Sequence, residues 1–313
     1  MYAFNSKKGV PFTKWCCDEP THFPKKMKNC EDLSHDAAAA LGGDAALDAI
    51  ITVGPVAVTD VKVFGTPEMP IYDHTAIQCR VNGLTLFSLN MEGRCNMLRN
   101  EELYEMRWEQ LKAVVRRLDP FPDLFCLQEL FLRSNMPRYL GERRDLADAL
   151  MRELLDEKQE DFIFTYDDFT GGTIVNKKYL LSDRKMVYDE SPNGSENEIE
   201  MKNYAGVQTK HRVRHIARYG DPDKKCTVVH VHNGVTSFYV VNVHLKAVQT
   251  ILNGELFQQK EVSNLLANLQ EEMRVGVVFI GDHNTTHPEK LYAQAGGKKR
   301  FTSKRRRKKI NSL

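Results

Sequence analysis

No run of this chain is apolar enough to cross a bilayer, and its first ten residues, MYAFNSKKGV, lack the apolar stretch of a secretory signal. The expectation is a protein of the cell interior, cytoplasmic or nuclear, with no membrane partner. Cysteine is present but poorly placed for either of its structural uses. The seven, at 16, 17, 30, 79, 95, 126 and 226, are odd in number and include no CxxC pair, which argues against a disulfide framework and against a cysteine metal cluster. Cys79 and Cys126 sit inside apolar runs and read as core; Cys16, Cys17 and Cys30 with His22 have the residue types of a metal site at a spacing that is far more often without function. No internal repeat is apparent. Acidic residues are missing from the last sixteen positions, where nine of the twelve residues from Lys298 to Lys309 are basic. The formal net charge of +2 hides this asymmetry: without those nine, 35 basic residues face 42 acidic ones, a balance of −7. A body of that sign is not a generic polyanion binder. The tail, with Lys298, Lys299, Arg300, Arg305, Arg306 and Arg307, reads as a disordered basic arm for nuclear import or loose RNA contact, or as a solvated extension without function.

What the sequence does hold is enough apolar residue, 42% of 313, for one large α/β domain or two small ones. The plainest local signal is Asn82-Gly83, set between the alternating runs YDHTAIQCRV and LTLFSLNMEG. An Asn-Gly pair so placed predicts a hairpin with a two-residue type I′ turn. Val81 then faces Leu84, His74 faces Met91, and Asp73 faces Glu92. Directly opposed residues lie about 5 Å apart, and two like charges there repel unless a cation sits between them. Leu103, Met106, Leu111, Val114, Val115 and Leu118 recur at helical spacing up to Asp119-Pro120. DLFCLQ, residues 123–128, is a short apolar strand. A helix is expected at 147–155, strands at 162–166 and 172–175, and an acidic surface loop at 189–200. Strands at 226–232 and 236–245 flank a second turn of similar type at His232-Asn233-Gly234. A helix over 254–273 carries Leu256, Val262, Leu265, Leu266, Leu269 and Met273 on its buried stripe, and a buried strand follows at 275–280. Strands joined by hairpin signals outnumber three amphipathic helices that need a sheet face to cover. The expected fold is α/β, with two packed, mainly antiparallel sheets flanked by helices.

Polar residues of one chemical kind gather at the strand ends: Asn90 and Glu92, Gln128-Glu129, His244 in NVHLKA, Asp282 and Asn284 in GDHN, Asp48 in LDAII, and Asp73-His74. Carboxylates, amides and histidines are what a hard divalent cation and a phosphate group require. Together these segments resemble the exonuclease/endonuclease/phosphatase superfamily, whose motifs are a strand ending in Asn, LQE, a strand ending in HL, GD-x-N, LDxI and SDH. HLKA followed by a helix, GDHNTTHPEKLY, and PFTKW at residues 11–15 are most similar to its deadenylase/nocturnin branch. The resemblance covers most of residues 9–292. Its order is rotated, because LDxI and DH come first and GD-x-N almost last, so the chain looks like a circular permutant in which Asn82-Gly83 ties the family's first and last strands together.

That resemblance implies a divalent-metal-dependent phosphodiesterase acting on nucleic acid, with residues 1–297 as catalytic domain and 298–313 as tail. It implies Glu129 as the principal ligand of Mg2+ or Mn2+, supported directly or through water by Glu92 and Asp73. Asp282 and Asn284 would orient and deprotonate the attacking water. His74, held by Asp48, and His244 would bind phosphate oxygens as negative charge builds, Asn90 would fix the phosphate, and Lys246 and Tyr72 would lie on the substrate side. The division is physically sound, since a cation polarises phosphoryl oxygen and positioned donors stabilise charge that appears only in the transition state.

Three positions depart from the family pattern: Tyr72 where SDH has Ser, Ala49 where LDxI has an aromatic, and His283 where GD-x-N has an apolar residue. None removes a catalytic group; Tyr72 and Ala49 flank the substrate side. Singly, each motif has a plainer reading: Glu129 as a solvated carboxylate, His244 as a satisfied interior histidine, GDHN as a polar loop. Asp48 competes as the cap of a helix built from the Ala-rich run at 35–50, although β-branched Ile50, Ile51 and Val53 favour a strand. His283 and His287 keep the plainer reading. Cleavage of RNA from its 3′ end is the leading expectation. A phosphatase of a small nucleotide such as NADP, and a non-catalytic RNA- or partner-binding protein on the same scaffold, are the alternatives.

Overall fold

The computed structural model describes residues 1–6, 9–15, 47–64, 74–91, 101–129, 152–166, 171–180, 194–195, 199–202, 208–211, 213–218, 221–246 and 251–295. Tyr72, Asp73, Glu92, the basic tail, and Cys16, Cys17, Cys30 and His22 lie outside the described residues. In chain order the strands are β1 (Tyr2–Asn5), β2 (Pro11–Trp15), β3 (Asp48–Val53), β4 (Val58–Phe64), β5 (Ala76–Val81), β6 (Leu84–Asn90), β7 (Leu124–Gln128), β8 (Phe162–Tyr166) and β9 (Gly171–Asn176). They continue with β10 (Gly194–Ser195), β11 (Ile199–Lys202), β12 (Gln208–His211), β13 (Val213–Arg218), β14 (Asp221–His232), β15 (Ser237–His244) and β16 (Val277–Asp282). Helix α1 (Glu101–Arg116) lies between β6 and β7; α2 (Ile251–Asn268) and α3 (Glu272–Val275) lie between β15 and β16; α4 (Pro288–Gln294) follows β16.

The strands form an eight-stranded sheet in the order β1-β2-β3-β16-β15-β14-β13-β10, a six-stranded sheet in the order β4-β5-β6-β7-β9-β8, and the small pair β11-β12. Most pairs are antiparallel. The exceptions are β6 with β7 and β15 with β16, and the chain makes each of those parallel crossovers through a helix. The two large sheets bury their facing sides together: Leu84, Leu86, Leu124 and Cys126 from one meet Ile50, Phe238, Val240, Val278 and Ile280 from the other. On the outer face of the six-stranded sheet, Trp108, Leu111 and Val115 of α1 cover Phe87, Leu89, Phe125 and Leu127. On the outer face of the eight-stranded sheet, α2 and α4 cover Ile51, Val53, Val241, Val243 and Phe279. The architecture is two mainly antiparallel sheets flanked by helices. Each fully buried aliphatic side chain stabilises it by about 1.5–3 kcal/mol.

Inward positions alternate along each central strand and change character toward one end. On β6 the inward series is Leu84, Leu86, Ser88, Asn90; on β7 it is Leu124, Cys126, Gln128; on β15, Phe238, Val240, Asn242, His244; on β16, Val278, Ile280, Asp282. β3 runs the other way and so begins at that end with Asp48 before Ile50. Apolar residues therefore close most of the sandwich and polar ones open its end. No helix among the described residues is long and apolar enough to cross a membrane.

Asn82 and Gly83, at φ 47° and 87°, make the two-residue turn, with Val81 opposite Leu84 and Ile77 opposite Ser88. The second turn differs from expectation: Ser237 pairs with His232, so four residues intervene, held by Asn233 Oδ1 accepting the N–H groups of Val235 and Thr236 at 2.9 and 2.7 Å. The two turns touch, Asn82 Nδ2 lying 3.4 Å from Thr236 Oγ1. The acidic stretch at 189–200 includes β10 and the start of β11, β14 begins five residues ahead of the apolar run at 226, and the helix expected at 254–273 is α2 followed by a tight turn and α3. Leu269 and Met273 both still pack on the sheet across that turn, which is why the apolar stripe did not register the interruption. Cys79, Cys126 and Cys226 are buried free thiols.

Candidate active site

Asp282 closes β16 in register with two polar neighbours, His244 on β15 and Asp48 on β3. Its carboxylate is buried and held by donors. Oδ1 accepts the backbone N–H of Asn284 at 2.7 Å; Oδ2 accepts Asn284 Nδ2 at 2.9 Å and, from the opposite sheet, Asn90 Nδ2 at 2.9 Å. Asn284 Nδ2 is also 2.8 Å from Leu245 O. His244 Nε2 stands between two carboxylates, 3.4 Å from Glu129 Oε1 and 3.8 Å from Asp282 Oδ2. Asp48 Oδ2 meets His74 Nδ1 at 2.7 Å in a dyad with side chains 2% and 5% exposed. Groups from both large sheets and from chain positions 48 to 284 thus meet at the polar end of the sandwich.

Two backbone outliers sit here. Glu129, directly after β7, has φ 49°, and Asn284, two residues after β16, also has φ 49°. Asparagine tolerates the left-handed region; glutamate there is held at a cost of about 1–2 kcal/mol. That twist lets the chain turn at the site's rim, where the Glu129 side chain keeps 25% of its surface exposed while Asp282 keeps 2%.

Burial of two facing carboxylates sets the electrostatics. Loss of solvent pushes the Asp282 carboxyl up to about 7, with the nearby Asp48 charge adding to that and the charge of His74 and the bonds from Asn284 and Asn90 opposing it. Such a group takes and releases a proton near neutrality. His283 faces away from this cluster: its ring bonds Gly281 O at 3.0 Å and Tyr292 Oη at 3.3 Å, and burial holds it down at about 4, neutral. His287 is exposed, 3.2 Å from Glu289.

Beneath the carboxylates lies a layer of buried amides. Gln128 Nε2 reaches across the sandwich to Asn242 Oδ1 at 2.6 Å and also approaches Ser88 Oγ and Cys126 O. Asn242 Nδ2 in turn donates to Leu127 O and Gly172 O, both at 3.1 Å. The Gln128 amide lies against Gly281, whose φ of 135° and missing side chain allow the approach. Sequence reasoning noticed Gln128 but gave Asn242 and Ser88 no role. The signal for both was a polar residue at an inward position of an apolar alternation, FYVVNVH and LTLFSLN.

The structure brings together Asp282, Asn284, Asn90, His244, Glu129, Asp48 and His74. Lys246 is exposed nearby, its Nζ 4.5 Å from the Phe257 ring centroid. Asp48 begins a strand, not a helix. Among the described residues no group of three or more His, Cys, Asp or Glu side chains is placed to hold a metal ion. The chemistry of the donors nonetheless suits a hard cation: Glu129 offers a carboxylate at the rim beside His244. Glu129 is its described candidate ligand, since Glu92 and Asp73 lie outside the described residues.

No family model and no curated protein matches the chain. Among solved structures it is similar to truncated Caenorhabditis elegans TDP2, at 14% identity and a TM-score of 0.39 over 67% of this chain and 65% of that one. It is also similar to an endonuclease/exonuclease/phosphatase family protein from Leptotrichia buccalis, at 12% identity and a TM-score of 0.37 over 64% and 67% of the two chains. The catalytic domain of human Nocturnin with a bound sulfate anion aligns at 16% identity and a TM-score of 0.31 over 59% and 60%. The chain thus spans just under two thirds of the C. elegans structure. Likenesses of this order carry no inference about activity; the site's own chemistry must.

Proposed function

We propose that the chain is a metal-dependent phosphodiesterase that hydrolyses nucleic acid, on a circularly permuted exonuclease/endonuclease/phosphatase scaffold, and that RNA degraded from its 3′ end is its substrate. The observation that carries this reading is the buried Asp282 carboxylate, fixed by Asn90 and Asn284, with His244 between it and Glu129 and the Asp48–His74 dyad in register beside it. A carboxylate that protonates near neutrality is suited to take the proton of an attacking water. His74, oriented by Asp48, and His244 are suited to donate to phosphate oxygens as charge develops. Mg2+ or Mn2+, held by Glu129 with Glu92 and Asp73, would polarise the phosphoryl oxygen. The permutation accounts for the motif order, and the two-residue Asn82-Gly83 turn is the shortest tie between two antiparallel strands. We assign residues 1–297 to the catalytic domain and the basic tail to nuclear entry or RNA contact, in an intracellular protein.

The balance of −7 outside the tail favours a second reading, a phosphatase of a small phosphorylated nucleotide such as NADP, which needs only a local basic pocket. One experiment separates the two. The full chain is incubated with a labelled oligonucleotide panel, oligoadenylate and single-stranded DNA included, and with NADP, with Mg2+ or with EDTA, and products are identified by mass. Nucleoside monophosphates formed only with metal are expected. Inorganic phosphate alone would replace the nuclease by the phosphatase, and no product from any ester would leave a binding protein.

A pH dependence follows from Asp282. Raised from its ordinary 3.8 to about 7, the carboxyl is ionised, and able to accept a proton, only above that range. On a chromogenic phosphodiester at limiting Mg2+, kcat/KM should fall below pH 7 with unit slope. A nearby cation favours the anion, so the limb should move to lower pH as Mg2+ is raised. A profile flat from pH 8 to 5 at limiting Mg2+ would remove Asp282 from the role of base.

A further inference from the structure

Helix α2 lies on the far face of the eight-stranded sheet, yet it sends two polar side chains to the edge of the site. Its inward stripe is apolar at Val262, Leu265 and Leu266, but one turn earlier it carries Gln258, 1% exposed, and on the next position of the face Glu261, 3% exposed. Gln258 Nε2 lies 2.7 Å from Lys246 O and 3.0 Å from Asn284 O, with His283 O at 3.4 Å. Glu261 Oε2 accepts the backbone N–H of Lys246 at 3.0 Å. Lys246 is the second residue after His244, and Asn284 the second after Asp282. One amide therefore spans the two loops that follow neighbouring parallel strands.

The arrangement is not one that packing alone would select. Among the described residues the buried Gln258 Oε1 has no hydrogen-bond partner, a cost that an apolar side chain of the same shape would avoid. The backbone it restrains is the one that needs restraint, because Asn284 holds a left-handed φ while its side chain and N–H both serve Asp282. A loop free to relax at Asn284 would lose those bonds first.

We propose that Gln258 is a positioning residue that straps the loop after His244 to the loop after Asp282, with Glu261 holding the first loop alone. Only its catalytic consequence rests on the phosphodiesterase reading. Hydrogen exchange on the full chain tests the strap without any substrate. Gln258→Met keeps the bulk and removes the donor; it should raise exchange on the order of 10-fold in peptides covering 244–246 and 283–286, with β14 unchanged. Glu261→Met should do so at 244–246 only; if Gln258→Met does not fold, Gln258→Leu, which also lacks the donor, carries the test with the same readout. Unchanged exchange in both loops overturns the strap.

Kinetics on the phosphodiester then test the consequence. Gln258→Met should lower kcat by on the order of 10- to 100-fold with KM within about twofold, the signature of misplaced reacting groups in a site that still binds. A parent that is active and a variant with the same kcat would overturn the catalytic part. An inert parent whose loops nevertheless loosen in Gln258→Met would sustain the strap and end the phosphodiesterase reading instead.

Discussion

Glu129→Ala should lower turnover by on the order of 10³-fold, about 4 kcal/mol of transition-state stabilisation, while leaving the fold intact. The second half of that expectation is what makes the variant informative. Glu129 sits at the rim with a quarter of its side-chain surface exposed, and alanine accepts the φ of 49° no worse than glutamate does, so stability should change little. His74→Ala should slow the reaction as much, but it leaves Asp48 as a buried carboxylate without its 2.7 Å partner, opposite Asp282. Removing one member of such a pair costs about 3–5 kcal/mol of stability, so slow turnover there has two causes. Thermal unfolding by circular dichroism, run beside steady-state kinetics on both variants, separates them. A folded Glu129→Ala protein with activity close to the parent's would refute the assignment of this site.

Much of this site was legible because strand periodicity and strand ends are local properties. A polar residue in an inward slot, such as Asp282 after Val278 and Ile280, is visible wherever the alternation is clean, and β6, β7, β15 and β16 alternate cleanly. What failed was alternation interrupted or diluted. β4 slips register between Thr59 and Lys62 around Asp60 at φ 53°, so its apolar residues do not keep one phase, and no strand was expected there. β14 starts among Asp221, Asp223, Lys224 and Lys225, whose charges hid an extended segment paired with β13. β1 is the edge strand and β2 lies next to it, and both are too short, at four and five residues, for an alternation to stand out. Gln258 escaped for another reason: its partners are backbone carbonyls of loops 12 and 26 residues away, and backbone acceptors carry no sequence signal. The Asp48 alternative was settled by long-range pairing, since β3 lies between β2 and β16.

Gly281→Ala should have the larger effect on stability, and its cause can be isolated. Gly281 has φ 135°, where a side chain is strained, and an ideal Cβ would lie 2.2 Å from Val243 O on the adjoining strand and 2.8 Å from Gln128 Nε2 of the opposite sheet. The first contact is with backbone that belongs to the β15–β16 ladder, and the second with an amide already engaged by Asn242, so neither neighbour can yield without opening the site's floor. Gly83→Ala is the control: its φ of 87° is also unfavourable, but nothing lies within 4 Å of the added carbon. That variant should lose only about 1 kcal/mol, the conformational cost alone. Gly281→Ala adds overlap to conformation and should lose several kcal/mol more, a large share of the total of about 5–15 kcal/mol typical of folded domains. Urea midpoints and soluble yield measure both. Equal losses in the two variants would mean that the sheets can separate at Gly281, and that the distance between Glu129 and Asp282 is not fixed by the amide layer beneath them.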